Sequence, residues 1–181
     1  MRLYSPRSAL PLVYHVAMRV ERYFGFLDLS GFTRYTDTEG DARSMEVVTA
    51  FRIVTRQCAT DFAVRIAKWL GDGCMVVSVD PELLVQAVLE LDGELAKRNL
   101  PLKLHGGLAG GPVLILEGDD YIGGAVNLAA RLCDVADPGQ ILATPKLASF
   151  APRGSCVDQV GDLRVPGITQ PVPVVALKKN G

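Results

Sequence analysis

The sequence is poor in the residues that build zinc sites and disulfide frameworks. Its 181 residues include four cysteines and two histidines, no two cysteines form a CxxC pair, and His15 and His105 lie far apart. Common zinc sites use closely spaced ligand pairs, and disulfide scaffolds need many cysteines in a short chain, so both are disfavoured. This cysteine usage indicates a reducing, cytoplasmic setting.

The chain also lacks long apolar runs and an excess of charge of one sign. No segment approaches the roughly 18–20 apolar residues of a membrane-spanning helix. The 19 basic and 20 acidic side chains give a net charge of −1, which excludes a polybasic nucleic-acid binder and provides no broad field for anionic membranes. Any phosphate chemistry must therefore come from a local site.

The 49% of hydrophobic residues is typical of a soluble globular protein. No repeat, low-complexity tract or Gly/Ser linker divides the chain, so its length fits one domain. We assign residues 1–20 to an N-terminal arm and residues 21–181 to that domain.

Apolar runs and helical periods predict the order strand, helix, strand, strand, helix, strand, with further elements after it. The predicted strands are Tyr23–Leu29, Phe62–Leu70, Cys74–Val79, Leu102–Leu108, Pro112–Leu116, Ile141–Ala143, Val157–Val165 and Val172–Leu177. The predicted helices begin at Ala42, Pro81 and Ala125, the first burying Met45, Val48, Phe51 and Cys58.

Local signals refine this outline. The segment Ser30–Asp41 is expected to be a loop with about one helical turn, Asp72 to lie in a hairpin turn, and Asp80 to cap a helix. Pro173 places the last strand at a sheet edge. The order predicts an α+β fold, a ferredoxin-like βαββαβ core with additional C-terminal strands. Helices cover one face of such a sheet, and a second subunit is the expected cover of the other.

Three polar clusters are candidates for chemistry, and the first surrounds Asp28. This residue falls inside an apolar strand, where an unpaired carboxylate is costly unless it has a partner, a cation or an exposed position. The turn that follows can present backbone N–H groups to an anion. It consists of Ser30, Gly31, Phe32 and Thr33. A turn or capping aspartate is an equally simple interpretation of this cluster alone.

The other two clusters contain Lys68 with Asp72, and Asn127 with Arg131. Alone, Asp72 is a hairpin-turn residue and Lys68 an exposed lysine, but two carboxylates in one pocket favour a hard divalent cation. Asn127 and Arg131 are four residues apart on a predicted helix and share a face. Together they suit a sugar oxygen and a phosphate, although a solvated polar face fits them as well.

Taken together, these clusters resemble the catalytic domain of the class III nucleotidyl cyclases, from about Tyr23 to Leu177. The motifs are Phe-x-Asp-Leu-x-Gly-Phe-Thr from Phe26, Lys-x-x-Gly-Asp from Lys68, and Asp-x-x-Gly-x-x-Val-Asn-x-Ala-x-Arg from Asp120. The resemblance implies an adenylyl cyclase that makes 3′,5′-cyclic AMP and pyrophosphate from ATP.

The resemblance also implies a role for each residue. Asp28, Leu29 and Asp72 bind two Mg²⁺ or Mn²⁺ ions, and the turn after them binds phosphate. Lys68 and Asp120 read adenine, Asn127 orients the ribose, and Arg131 stabilises the transition state. The sites form in a head-to-tail homodimer, with the metal-binding aspartates from one chain and the other four residues from its partner.

One position departs from the family pattern. Many members have a phosphate-binding lysine where this chain has Pro166, and Arg164, two residues earlier and so on the same strand face by alternation, is a candidate replacement. This departure keeps a second interpretation open, a catalytically weak nucleotide-binding or dimerisation module with a regulatory role. A guanylyl cyclase is a third.

Overall fold

The computed structural model describes residues 19–116 and 120–179. Its elements are β1 (Arg19–Leu29), α1 (Phe32–Glu39), α2 (Asp41–Asp61), β2 (Arg65–Leu70), β3 (Gly73–Ser78), α3 (Pro81–Lys97), β4 (Leu104–Leu116), β5 (Asp120–Ile122), α4 (Gly124–Val135), β6 (Ile141–Ala143), α5 (Pro145–Ala148), β7 (Cys156–Leu163) and β8 (Val172–Lys178). The predicted N-terminal arm lies outside the described residues except for its last two, which begin β1. Among the helices described, none is long and apolar enough to span a membrane.

One eight-stranded sheet organises the chain. Seven strands follow the order β2-β3-β1-β4-β6-β8-β7, and β5 pairs with β4. The central strand β1 is antiparallel to both β3 and β4, whereas β4 and β6 are parallel. This topology confirms the α+β fold, a ferredoxin-like core extended by C-terminal strands.

Helices lie on both faces of this sheet. Phe51 of α2 and Leu84 of α3 are buried on one face beside Leu27. Ala125 and Ala129 of α4 pack on the other face, in a cluster that also contains Phe24 and Val113. The second face, expected to depend on a partner for its cover, is therefore partly covered by α4 of the same chain.

The glycine-rich segment of β4 does not turn, so the prediction of two strands there was wrong. β1 pairs with β4 along its whole length, from Arg19 opposite Leu114 to Leu29 opposite Leu104. The glycines instead permit close approach. A Cβ added to Gly107 would lie 2.3 Å from the backbone oxygen of Ala129 in α4. Glycine here therefore sets the distance between α4 and the sheet.

The segment after β1 also differs from its prediction, because α1 is a helix of eight residues where a loop was expected. None of its residues is buried, so the sequence shows no apolar helical period. Met45 is 66% exposed, and Ser44 occupies a buried position instead. The single hydroxyl hydrogen of Ser44 has two acceptors within reach, the Gly40 carbonyl oxygen at 3.1 Å and the Thr36 hydroxyl oxygen at 2.9 Å, so this polar side chain is satisfied although buried.

Two predictions from proline and its neighbours had different outcomes. The Asp80 carboxylate accepts backbone N–H groups of Glu82 at 2.8 Å and Leu83 at 3.2 Å, which confirms the helix cap. β8 lies between β6 and β7, so its placement at an edge was wrong. β6 pairs only from Val175 onward, and Pro173 therefore has a neighbouring strand on one side alone.

Candidate active site

A cleft of about 590 Å³ opens on the α4 face, where β1 ends. Four of the predicted site residues line it, Asp28, Asp72, Asn127 and Arg131. The structure thus brings together residues from β1, from the β2–β3 hairpin and from α4. The other predicted site residues are not among those that line this cleft.

Asp28 of β1 has close neighbours on both flanking strands, β3 and β4. A Cβ added to Gly73 of β3 would lie 2.6 Å from Asp28 Oδ1 and 2.7 Å from the Leu27 carbonyl oxygen. On the other side, His105 of β4 is directly opposite Asp28 in the strand ladder. The missing side chain at Gly73 therefore provides the room that the carboxylate occupies.

Burial, together with the neighbouring Asp72 carboxylate, raises the pKa of Asp28 to about 6. The charge of Asp134 adds to this effect, whereas the backbone N–H of Leu29 opposes it. A half-buried acid held beside a second acid is the arrangement that a divalent cation relieves, because it compensates both charges at once.

The two carboxylates of the cleft fit a divalent cation whose other ligands are water and substrate oxygens. No group of three or more His, Cys, Asp or Glu side chains within the described ranges could hold a metal ion. The Leu29 side chain is 1% exposed in the core, so only its backbone could contribute. Mg²⁺ keeps several waters and substrate phosphate oxygens around one or two carboxylates, which matches what Asp28 and Asp72 offer.

Asp72 owes its position to a hairpin that α2 braces. Arg52 Nη2 donates to the Gly71 carbonyl in the turn at 3.0 Å. The guanidinium carbons of Arg52 and Arg56 lie 5.1 and 5.2 Å from the ring centroid of Trp69 in β2. No sequence pattern predicted this contact, because residues of α2 and of the hairpin meet only in the folded chain.

The turn after β1 is partly occupied by contacts within the protein. The Ser30 N–H donates to the Lys103 carbonyl at 2.9 Å, and its hydroxyl lies 2.7 Å from His105 Nδ1. Gly31 has a left-handed φ of 78° and precedes the first turn of α1. The first N–H groups of a helix have no partner within it, so Gly31, Phe32 and Thr33 are better placed than Ser30 to meet an anion.

Asn127 and Arg131 are exposed on α4. Arg131 Nη1 lies 3.0 Å from Oδ2 of Asp134, which also lines the cleft. The sequence interpretation missed Asp134, although its spacing of three residues from Arg131 was a visible sign. A guanidinium in this ion pair is held at the cleft and can exchange its carboxylate partner for a phosphate.

The two predicted base-reading residues contact each other outside the cleft. Lys68 Nζ lies 2.7 Å from Asp120 Oδ1, which also accepts the Tyr121 N–H at 3.1 Å. The hydrogen bond from Lys68 is the main reason that the pKa of Asp120 is lowered. The structure therefore assembles this cation–carboxylate pair from β2 and β5.

The segment after β7, which contains Arg164 and Pro166, differs from the sequence prediction. β7 ends at Leu163, so Arg164 does not share a strand face with the position of Pro166. Pro166 lines the cleft, whereas Arg164 is exposed and does not.

We expect Asp28→Asn to stabilise the metal-free protein at pH 7. The carboxyl ionises near pH 4 in an unfolded chain and near pH 6 in the fold, so its contribution is complete below about pH 4 and is lost as pH rises through about 6. Because the side chain is 41% exposed, screening reduces the gain to about 1 kcal/mol, or about 2–4 °C in Tm.

Thermal unfolding in EDTA at pH 4.5 and pH 7 measures this effect. Asp37→Asn, which removes an exposed carboxylate of α1, is the matched control. An Asp28→Asn protein that melts below wild type at pH 7 contradicts the prediction.

No family model matches the chain. It is 38% identical over 156 residues to an uncharacterized protein of Mycobacterium tuberculosis, a match of 86% of this chain and 41% of that protein. It is 32% identical over 121 residues to an adenylate cyclase of Glutamicibacter nicotianae, covering 67% of this chain and 30% of that enzyme. The chain thus spans less than half the length of the curated relatives that it matches.

Solved structures show the same fold at lower identity. The adenylyl cyclase CyaB from P. aeruginosa superposes with a TM-score of 0.79 at 22% identity, over 91% of this chain and 96% of that one. The guanylate cyclase domain of RhGC from Catenaria anguillulae, in complex with GTP, has a TM-score of 0.77 at 15% identity, over 89% and 97%.

Proposed function

This chain is a class III nucleotidyl cyclase homology domain by its motifs and its fold, and we propose that it converts ATP to 3′,5′-cyclic AMP and pyrophosphate. The observation that carries the proposal is the meeting of Asp28 and Asp72 in one cleft, with Asn127 and Arg131 exposed beside them on α4. The two carboxylates can hold divalent cations, and an exposed amide and guanidinium can be presented to a nucleotide bound by this chain or by a partner.

In this reaction the ribose 3′-oxygen attacks the α-phosphorus. The new O3′–P bond forms as the bond from that phosphorus to the bridging oxygen breaks, pyrophosphate leaves, and the hydroxyl proton passes to solvent. Asp28 and Asp72, with the backbone of Leu29, would hold two Mg²⁺ or Mn²⁺ ions, which when bound acidify the hydroxyl and neutralise the triphosphate.

The remaining side chains orient the substrate and stabilise charge. The Asn127 amide hydrogen-bonds the ribose, and Arg131 exchanges Asp134 for the phosphoryl oxygens on which charge develops. A fixed arginine in this role contributes on the order of 10³–10⁵ in rate in other phosphoryl-transfer enzymes. The N–H groups that begin α1 bind the leaving phosphates.

The Lys68–Asp120 pair supports ATP as the substrate. The carboxylate accepts from the amino group at C6 of adenine, and the ammonium donates to N1. Guanine presents a carbonyl and an N–H at these positions, so the pair would leave its polar groups unpaired. The preference for ATP thus follows from one cation–carboxylate pair.

We propose further that two chains form a head-to-tail homodimer with composite sites. Lys68 and Asp120 do not line the cleft that holds Asp28 and Asp72 in the same chain, which supports their serving the partner's cleft. We assign Asn127 and Arg131 to the same half of the site, as the family resemblance implies, so that the exposed face of α4 would serve the partner as well. Leu116 and Ile122 are 42% and 54% exposed beside Asp120. A second chain over this surface would bury these apolar side chains.

A nucleotide-binding or dimerisation module without strong activity is the second candidate. The observation that favours it is Pro166 in the cleft lining, where many family members have a phosphate-binding lysine. Such a module would bind ATP and dimerise with little turnover.

Purified protein incubated with Mn²⁺ and ATP tests the proposal by detection of cyclic AMP. We expect wild type to produce cyclic AMP, Asp28→Ala to produce none, and a parallel GTP incubation to give less product. Nucleotide binding without cyclic AMP above the Asp28→Ala level supports the binding module. More cyclic GMP than cyclic AMP supports a guanylyl cyclase.

A further inference from the structure

His105 has no role in the proposed reaction, yet it lies directly opposite Asp28 in the β1–β4 ladder. Facing residues in such a ladder project to the same side of the sheet. His105 Nε2 lies 4.0 Å from Asp28 Oδ2, and the imidazole is 16% exposed. The histidine thus forms one wall beside the carboxylate, and the space above Gly73 forms the other.

Ser30 fixes the far side of the imidazole ring. Its hydroxyl lies 2.7 Å from His105 Nδ1, and its own backbone is held by the N–H bond to the Lys103 carbonyl. A hydroxyl that donates to Nδ1 leaves the ring hydrogen on Nε2, where it faces Asp28. The opposite tautomer would turn a nitrogen lone pair toward the carboxylate, so the electrostatics favour the hydrogen on Nε2.

We propose that His105, anchored by Ser30, is a positioning residue that orients the Asp28 carboxylate for metal binding. The inference rests on the proposed function for the role of Asp28. At 4.0 Å the N–H is too distant for a direct hydrogen bond, so it acts through the dipole of the neutral ring, or through a bridging water in the metal-bound protein. Its action resembles that of the outer partners that orient carboxylate ligands in metalloproteins.

Mn²⁺ affinity in the absence of nucleotide, measured by electron paramagnetic resonance, tests this role. We expect His105→Ala to weaken Mn²⁺ binding by about 10- to 100-fold, as is usual when an outer partner is removed. His105→Gln keeps a donor near the Nε2 position and should recover most of the affinity. His105→Asn keeps only the contact to Ser30 and should not.

Lys103→Ala is the matched control, since it removes an exposed side chain just before β4. In an Asp28→Asn background, His105→Ala should cause no further loss of Mn²⁺ affinity, because its partner has already lost its charge. This coupling separates positioning from a general structural effect. Thermal unfolding of each variant confirms that it is folded.

Wild-type Mn²⁺ affinity in His105→Ala, or equal affinities in the Gln and Asn variants, overturns the inference. If the alanine variant does not fold, the comparison between the Gln and Asn variants decides. A wild-type protein that binds Mn²⁺ but makes no cyclic AMP overturns the proposed function and leaves this inference standing. The two failures are therefore distinguishable by experiment.

Discussion

Equal amounts of Asp28→Ala and Arg131→Ala protein, each inactive alone, are expected to recover about a quarter of wild-type cyclic AMP formation after subunit exchange. Random exchange of two variants makes about half of the dimers mixed, and in a composite geometry each mixed dimer has one intact site of two. That site takes Asp28 and Asp72 from one chain and Arg131 from the other.

The recovered cyclic AMP formation is large compared with the residual activity of either parent variant. Asp28→Ala removes one of the two carboxylates in the cleft, and Arg131→Ala removes the exposed guanidinium that α4 would present to the partner's site. Loss of an arginine in this role costs on the order of 10³-fold or more in rate. A quarter of wild-type activity is therefore hundreds of times the background of either parent.

The matched control is a mixture of Asp28→Ala with Asp72→Ala. Both substitutions affect the same half of the proposed site, so each site in a mixed dimer still lacks one carboxylate, and no activity should return. Subunit exchange is verified by native mass spectrometry. No recovery in the first mixture after complete exchange, or recovery in the control, contradicts composite sites.

Sequence patterns predicted the parts of this molecule that depend on neighbours in the chain. The Asp80 cap was predictable because its carboxylate accepts the N–H groups of Glu82 and Leu83, which follow it by two and three residues. The hairpin around Asp72 follows from turn residues between two apolar runs. The approach of Asp28 to Asp72 came from the family resemblance, because no local rule brings two strands together.

Contacts between distant segments were beyond sequence reasoning. Arg52 braces the hairpin from α2, and His105 faces Asp28 from β4, and neither residue stands in a motif. In both cases the partner is set by the tertiary fold, and a helical or strand period cannot report it.

The glycines of β4 were interpreted as a turn between two strands, whereas in the fold they allow α4 to pack closely on the sheet. Gly107 makes room for the backbone of α4, the helix that carries Asn127 and Arg131. The sheet in turn carries Asp28 on the strand next to β4. The position of Asn127 and Arg131 relative to the sheet, and so relative to a second chain, is therefore fixed where α4 meets Gly107.

Gly107→Ala is accordingly expected to lower cyclic AMP formation by about 100-fold, because a misplacement of about 1 Å can cost that much. The added Cβ would lie 2.3 Å from the Ala129 oxygen, 2.4 Å from the Cys133 nitrogen and 2.6 Å from the Leu132 Cβ. Two of these are backbone atoms that cannot rotate away, so α4 must move. Overpacking of this kind costs about 1–3 kcal/mol in the free energy of unfolding.

Gly111→Ala on the same strand is the matched control, since its Cβ would lie 3.5 Å from the Cβ of Ala125, an ordinary contact. We expect this variant to keep both activity and stability. Mn²⁺ affinity should survive in Gly107→Ala, because β1 and the hairpin, and not α4, carry Asp28 and Asp72. Urea unfolding and cyclic AMP assays measure the two effects, and equal activity in the two glycine variants would contradict the role of Gly107 in positioning α4.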